Sequence, residues 1–518
     1  MKCKKLLAIL LALCLILSLT SCGQKSEQDK KFDELTKSSA APESQPESSQ
    51  TSEPASKPES APAGSLSGEL TVSSWARIES PSQLEIMAEE FMDLNPDVTI
   101  TVDYAETNIS AIPDVNQSRD SYCAQVRAEL VSGEADYILY SPPGKLNLYD
   151  ISKSGVLLDL RPYFDSDPTI NPDEYFTQVL DTVSVDGKLT SMPFSFYFDG
   201  MYLNRKAMES INVDTSGITT LNSDMLLDWY ERARAANPEI KLLFGEQGKD
   251  FLFGDEKFAY IDVDGRAASF QSPEFTRFLE RTNALDDAEP NLDKMANMYA
   301  QNAYLVHELL RCQASGEETS LDESQDPYAY QFVTGGRAAL ACVTNMNIFA
   351  LTDIGFDMEH LAGPYPVTDT QGRLAVSSID DFAVPSSMKN PDLAWAFISY
   401  CLGERESTIL TSEQSFGSLL YSQNAPLNKK NFALLAEEFS TVPGTIGYEQ
   451  LVGKTGKEID GEALAQKMDE HLSMGLVNRK LYSPDVQEYL DEFYNSGLTT
   501  AEQCAEKIQG RVDIWLHE

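Results

Sequence analysis

Hydrophobic and polar positions change pattern several times along the chain. An unbroken apolar run extends from Leu6 to Leu17 behind Lys2, Lys4 and Lys5. Residues 23–66 then carry almost no large apolar side chain and consist mainly of Ser, Pro, Glu, Lys, Gln and Ala, as in Pro42-Glu43-Ser44-Gln45-Pro46. A segment of that kind cannot bury enough surface to fold and is expected to be a disordered tether. At Leu70 the pattern turns periodic. Leu70-Thr71-Val72-Ser73-Ser74-Trp75 alternates as a strand does, and Ser80-Pro81 supplies an N-cap and first turn for a helix. That helix places Leu84, Met87, Ala88, Phe91 and Met92 on one stripe, and Val98-Thr99-Ile100-Thr101-Val102 alternates again beyond Asn95-Pro96-Asp97.

Strand, helix, strand is the unit from which parallel sheets are built. A second unit follows, with a helix around Tyr122 to Val131, a stop at Gly133 and a strand Tyr137-Ile138-Leu139-Tyr140. The fold class expected is α/β. Later the chain is mainly helical, with helices starting at Ser272-Pro273 and Asn390-Pro391. Ala338 to Val343 and Phe382-Ala383-Val384-Pro385 read as short buried strands, so the chain leaves a first lobe and returns to it. No internal repeat or long heptad pattern is present.

The apolar run of about a dozen residues is shorter than the roughly twenty needed to span a bilayer, which makes it a secretory signal. Leu19-Thr20-Ser21-Cys22 resembles the lipobox of bacterial lipoproteins. The resemblance implies cleavage after residue 21, a diacylated Cys22 as the first mature residue, and attachment to the membrane through that lipid. Two or more acyl chains are required, because one gives only reversible attachment. A flexible tether of about 40 residues would let the folded part swing within roughly 30 to 40 Å of its anchor.

Composition removes several function classes. Lys and Arg total 40 against 81 Asp and Glu, so the chain repels nucleic acid and anionic headgroups. With Cys3 and Cys14 in the signal and Cys22 lipidated, Cys123, Cys312, Cys342, Cys401 and Cys504 remain. Their odd number and wide spacing make neither a disulfide framework nor a metal knuckle. Cys342 and Cys401 lie in apolar segments and are expected to be small buried hydrophobes.

Catalytic signatures are equally sparse. His307, His360, His471 and His517 show no metal-ligand spacing, and no Gly-x-Ser-x-Gly elbow occurs. Gly447 to Thr455 has five residues between its glycines where a phosphate loop needs four. Asp262-Val263-Asp264-Gly265 opens like a calcium loop, but no Glu closes it, so a turn is expected. Asp380-Asp381 is a weak candidate for paired-carboxylate chemistry in a chain with so many acidic residues. No catalytic residue, metal or cofactor is assigned.

Several segments, in order, resemble extracellular solute-binding proteins of the family 1 type, the maltose-binding-like receptors of ABC importers. They are Gly68 to Trp75 with Ala88-Glu89-Glu90-Phe91; Gly133 to Ile138; Asp186 to Pro193 with Met201 to Lys206; and Gly336 to Leu340 with Phe382 to Pro385 and Asn390 to Trp395. The resemblance spans roughly residues 67–518. It implies a two-lobed periplasmic-binding-protein type II fold: 67–194 as the first part of lobe 1, 195–335 as lobe 2, 336–385 as the return to lobe 1, and 386–518 as a mainly helical part belonging largely to lobe 2. Crossings are expected near Phe194 to Phe198, Gly335 and Pro385. Two departures bear on the ligand. Thr219 to Asp224 lacks the family's Trp, which comes later as Trp229, and Ser377 to Asp381 stands where glycines are usual.

A sugar needs flat apolar faces for its C–H groups and a few polar groups for its hydroxyls. Trp75 and Tyr140 end strands and Tyr197 lies in the first crossing, so these rings are the candidates at the strand ends where α/β sheets place ligands. Phe194 and Phe196 alternate in an apolar strand and are expected in the core. Asp199, Asn345, Tyr365, Ser378 and Asp380 are implied by the resemblance alone. The function implied is a lipid-anchored, monomeric receptor that passes a carbohydrate, an oligosaccharide in the first instance, to an ABC permease. The same fold binding a peptide or polyamine, and a surface hydrolase or adhesion protein, stay open at this point.

Overall fold

The computed structural model describes residues 66–77, 81–108, 112–238, 240–243, 248–263, 265–285, 339–352, 361–411, 416–419, 424–441, 459–480 and 486–517. The apolar leader, Cys22, the tether, Cys312, the side chain of Cys342, the crossing near Gly335 and the stretch Gly447 to Thr455 lie outside what is described.

β1 (Gly68–Ala76) buries Leu70, Val72 and Ser74 on one face, as its alternation requires. α1 (Gln83–Leu94) buries Leu84, Met87, Ala88 and Phe91. Its N-cap is Ser82 rather than Ser80. Ser82 Oγ accepts from the Glu85 N–H at 3.1 Å, and Glu85 Oε2 accepts from the Ser82 N–H at 2.7 Å. This reciprocal pair satisfies two otherwise orphaned donors, which sets the start of the helix beyond Pro81. β2 (Val98–Glu106) runs parallel to β1, with Gly68 opposite Val98. α2 (Val115–Ser132) begins earlier than its apolar pattern suggested because Asp114 caps it, and it stops at Gly133, whose φ of 72° is left-handed.

β3 (Ile138–Tyr140) and the ten-residue β4 (Ser195–Asn204) follow. Then come α3 (Ser223–Ala236), β5 (Lys241–Leu243), α4 (Gly248–Glu256) and α5 (Pro273–Asn283), the last capped by Ser272. The Asp262–Gly265 stretch is a turn in which Asp262 Oδ1 accepts from the Gly265 N–H at 2.8 Å. The chain continues with β6 (Ala339–Asn345), β7 (Leu361–Pro366), β8 (Arg373–Ile379), β9 (Phe382–Ala383) and α6 (Pro391–Leu402). It closes with β10 (Ala425–Pro426), α7 (Lys429–Thr441), α8 (Gly461–Leu472), β11 (Gly475–Asn478), α9 (Gln487–Tyr494) and α10 (Ala501–His517).

One sheet has the order β9-β3-β1-β2 and the other β11-β8-β4-β6-β5, with β10 and β7 also paired to β4. Two large cores result. The first gathers Leu70, Val72 and Phe91 with Phe194, Phe196, Phe198, Val376 and Phe382. The second gathers Met201 and Leu203 with Leu226, Phe253, Phe275, Leu340 and Ile508. Phe194 and Phe196 are fully buried, as their alternation predicts.

The C-terminal segment 386–518 divides between the cores instead of joining one of them. Leu393 and Phe397 of α6, Phe432 of α7 and Met468 of α8 lie in the first core, and Leu490, Ile508 and Trp515 of α9 and α10 in the second. α6 packs on α1 and β1, and β11 pairs in parallel with β8, whose Leu374 and Val376 lie in the first core, whereas α9 and α10 pack in the second.

Candidate functional site

The two cores meet on β4. Its first half lies between β8, with Ser377 opposite Tyr197 and Ser378 opposite Phe196, and β10. Its second half lies between β6, with Asn345 opposite Asp199, and β7, with Tyr365 opposite Met201. Both neighbours are exchanged at Asp199 and Gly200, and this is also where the strand's buried side chains pass from the first core to the second. The backbones come close here: a Cβ on Gly200 would lie 2.3 Å from Met346 Sδ and 3.3 Å from the Tyr365 carbonyl oxygen.

Among the residues expected to bind ligand, Tyr197, Asp199, Asn345 and Ser378 come together around this exchange. Asp199 is buried and paired with Arg479, Nη1 to Oδ2 at 2.5 Å, whereas Asn345 is exposed and Tyr197 half-buried. Ser378 is buried and donates to Asp381 Oδ2 at 3.0 Å. Tyr140 and Asp380 meet through a residue the sequence did not single out. Gln83 Nε2 donates to Tyr140 Oη at 2.5 Å and to Asp380 Oδ2 at 3.1 Å. Asp380 has a φ of 55°, a left-handed conformation that aspartate tolerates better than most residues, so it can stand where a glycine would otherwise serve. Burial raises the Asp380 carboxyl against the hydrogen bonds from Ser141 and Gln83. Burial, then Asp380, raises the Tyr140 phenol well above its usual value.

Trp75 and Tyr365 stand apart from that group. The Trp75 indole N–H donates to Ser118 Oγ at 3.4 Å, and the Arg119 guanidinium lies 4.7 Å from the ring centroid, covering one face. Tyr365 donates its hydroxyl to the Thr215 carbonyl at 2.9 Å and packs against the second core, which gives it a structural partner of its own.

Arg479 and Lys480, just past β11, were not foreseen. Arg479 pairs with both Asp199 and Asp255, and Lys480 Nζ lies 2.8 Å from Asp381 Oδ2. Burial raises the Asp255 carboxyl above its usual range, against the pull of Arg479. Burial also works against the charge on Arg479, but Asp255 and Asp199 outweigh it and hold the guanidinium firmly protonated. The sequence signal that could have found the pair is two adjacent cations in a strongly acidic chain, Asn478-Arg479-Lys480. Among the described residues, no group of three or more His, Cys, Asp or Glu side chains could hold a metal ion, and no helix is long and apolar enough to cross a membrane.

With Arg479 and Lys480 committed to carboxylates of the protein itself, the junction offers a solute the half-buried ring of Tyr197 and the exposed amide of Asn345. Such groups hydrogen-bond and stack.

Residues 75–407, more than half of the chain, match the bacterial extracellular solute-binding protein family. No curated protein matches the chain. Among solved structures, a sugar transporter from Rhizobium etli in an open conformation is similar at 15% identity, with 86% of this chain and 99% of that one covered and a TM-score of 0.50. A periplasmic oligogalacturonide binding protein from Yersinia enterocolitica is similar at 16% identity, with 87% and 99% covered and a TM-score of 0.50. These likenesses give the fold as two-lobed, consistent with the two cores joined through β4. The chain belongs to the bacterial extracellular solute-binding protein family.

Proposed function

We propose that this protein is a lipid-anchored, monomeric receptor that captures a carbohydrate, an oligosaccharide in the first instance, between its lobes and delivers it to an ABC permease. The observation that carries the solute class is the junction at β4. Arg479 and Lys480 are already paired there, while Tyr197 stays half-buried beside fully buried Phe196 and Phe198, and Gln83, Tyr140, Asp380 and Asn345 offer hydrogen-bonding groups. An uncharged polyol with apolar C–H faces suits that set better than an ionic solute. The names of the two similar structures, a sugar transporter and an oligogalacturonide binding protein, support carbohydrate as the class, while the preference for an uncharged one rests on the paired cations of this chain, since an oligogalacturonide is a polyanion. In this reading Trp75, Tyr140, Tyr197, Asp199, Asn345, Tyr365, Ser378 and Asp380 line or support the cleft, and Arg119 must swing from Trp75 if a sugar is to use that face.

Thermal-shift measurements with mono- and oligosaccharides, peptides and polyamines test the class. A ligand at about 100 times its Kd adds about 2.7 kcal/mol to stability. Stabilisation by a sugar that Trp75→Ala weakens is the expected result. Stabilisation by a peptide or polyamine with no response to any sugar overturns the carbohydrate assignment. Anchoring is tested separately: Cys22→Ala should abolish incorporation of labelled palmitate and release the protein into the medium, and retention of the label would refute lipidation at Cys22.

A further inference from the structure

Arg479 occupies an unusual place between the cores. Its backbone N–H donates to the Val376 carbonyl at 2.8 Å, which fixes it to β8 on the side of the first core. Leu476, three residues earlier on β11, packs against that core too. The guanidinium then reaches in two directions. Nη1 holds Asp199 at the exchange point of β4, and Nη2 holds Asp255 in the last turn of α4. Leu252 and Phe253 of that same helix belong to the second core. Asp199 and Asp255 are 6% and 5% exposed, so both bonds are made out of water.

We infer that Arg479 is a positioning residue which fastens the second lobe, through α4, to the strand shared by the two lobes and so sets the resting angle of the cleft. Three features support this. A planar guanidinium can hold two carboxylates at once in a fixed fork, which an ammonium on a flexible stem does not reproduce. The fastening is also incomplete: Arg479 Nε and Asp255 Oδ2 are buried and have no hydrogen-bond partner among the described residues. A buried pair that uses only part of its bonding capacity recovers less of its desolvation cost, so it resists opening without forbidding it. Finally, Lys480 ties the same turn to Asp381 at the entry to β9, which fixes the first-lobe end of the fastening.

The inference rests on the two-lobed fold and not on the solute being a sugar, so either can fail alone. The test uses the ligand-free mature chain with nitroxides on ketone-bearing side chains introduced at the exposed positions Glu89, on α1, and Glu280, on α5. Pulsed dipolar spectroscopy then reads the distance between lobes. Asp255→Asn keeps the shape of the side chain and leaves the pair with Asp199 intact. It should broaden the distribution and move its mean by several ångström, and Arg479→Met and Arg479→Lys should do the same. The double variant Asp255→Asn with Arg479→Lys should add nothing beyond the single ones. Should Arg479→Met fail to fold, Asp255→Asn decides. A folded Asp255→Asn protein with the wild-type distribution overturns the inference, since a merely structural bond would lower the melting temperature without changing the distance.

Discussion

Glu256 offers a quantitative test of how the second lobe is held together. It ends α4 at 1% exposure, where Oε2 accepts from Ser223 Oγ at 2.7 Å and from the Thr370 N–H at 3.2 Å, and Oε1 accepts from Thr370 Oγ1. Burial pushes its carboxyl from 4.5 up to about 7, against the hydrogen bonds from Thr370 and Ser223 and with some help from Asp369. Because the folded pKa lies above the unfolded one, the folded state binds more protons between these values. Stability then falls as pH rises, and the contribution is lost by the time pH passes about 7. Each tenfold difference in proton affinity between the two states is worth about 1.4 kcal/mol, so the change between pH 5.5 and pH 8 comes to about 2 kcal/mol. Glu256→Gln keeps the volume and the acceptor oxygen but cannot ionise. Urea unfolding of wild type and variant across that range isolates the group, because every other titrating residue, including His471 with its opposite sign, is present in both. Relative to the variant, wild type should lose about 2 kcal/mol on going from pH 5.5 to pH 8. A difference that stays constant across the range would refute the argument.

Two further outcomes follow from the packing. Gly461→Ala places a Cβ 2.3 Å from the Ala433 carbonyl oxygen, so α8 must move off α7; equilibrium unfolding should show a loss of about 1–3 kcal/mol, and an unchanged midpoint would contradict the contact. Burial pushes the Cys401 and Cys504 thiols up to about 12, and Cys123 is buried as well, so peptide mapping after alkylation at neutral pH should find all three unmodified until urea unfolds the chain.

What the sequence made legible was local. The alternation of β1 and β2, the stripe of α1, the stop at Gly133 and the caps Ser272 and Asn390 each depend on residues a few positions apart, and each stands where the pattern indicated. The start of α1 was misplaced because a Ser-Pro pair competed with a capping box two residues on. Of the residues around the exchange on β4, Tyr197, Asp199, Asn345 and Ser378 were named from the sequence, whereas Gln83 and Arg479 were not. Gln83 reaches Asp380 across 297 positions, and Arg479 reaches Asp199 and Asp255 across 280 and 224. No periodicity encodes such partners; they exist because the sheets bring strand ends together. Trp75 shows the converse limit, since a ring at a strand end looks open in sequence and yet one of its faces lies against Arg119 of α2.

The exchange of neighbours along β4 also bears on how such a chain can change length during evolution. Side chains on a strand alternate with a period of two, so one residue inserted before Phe198 would turn Phe194 and Phe196 out of the first core while Met201 and Leu203 stayed in the second. Insertions or deletions of an odd number of residues within these ten would therefore turn one set of buried side chains out of its core. Such changes can accumulate in exposed connections such as the one after Asp262, where only the two-residue ladder of Ile261–Asp262 with Ala267–Ala268 must be kept. Within this chain β4 should keep its length while the connections around it drift, and an alignment of relatives could be anchored there first.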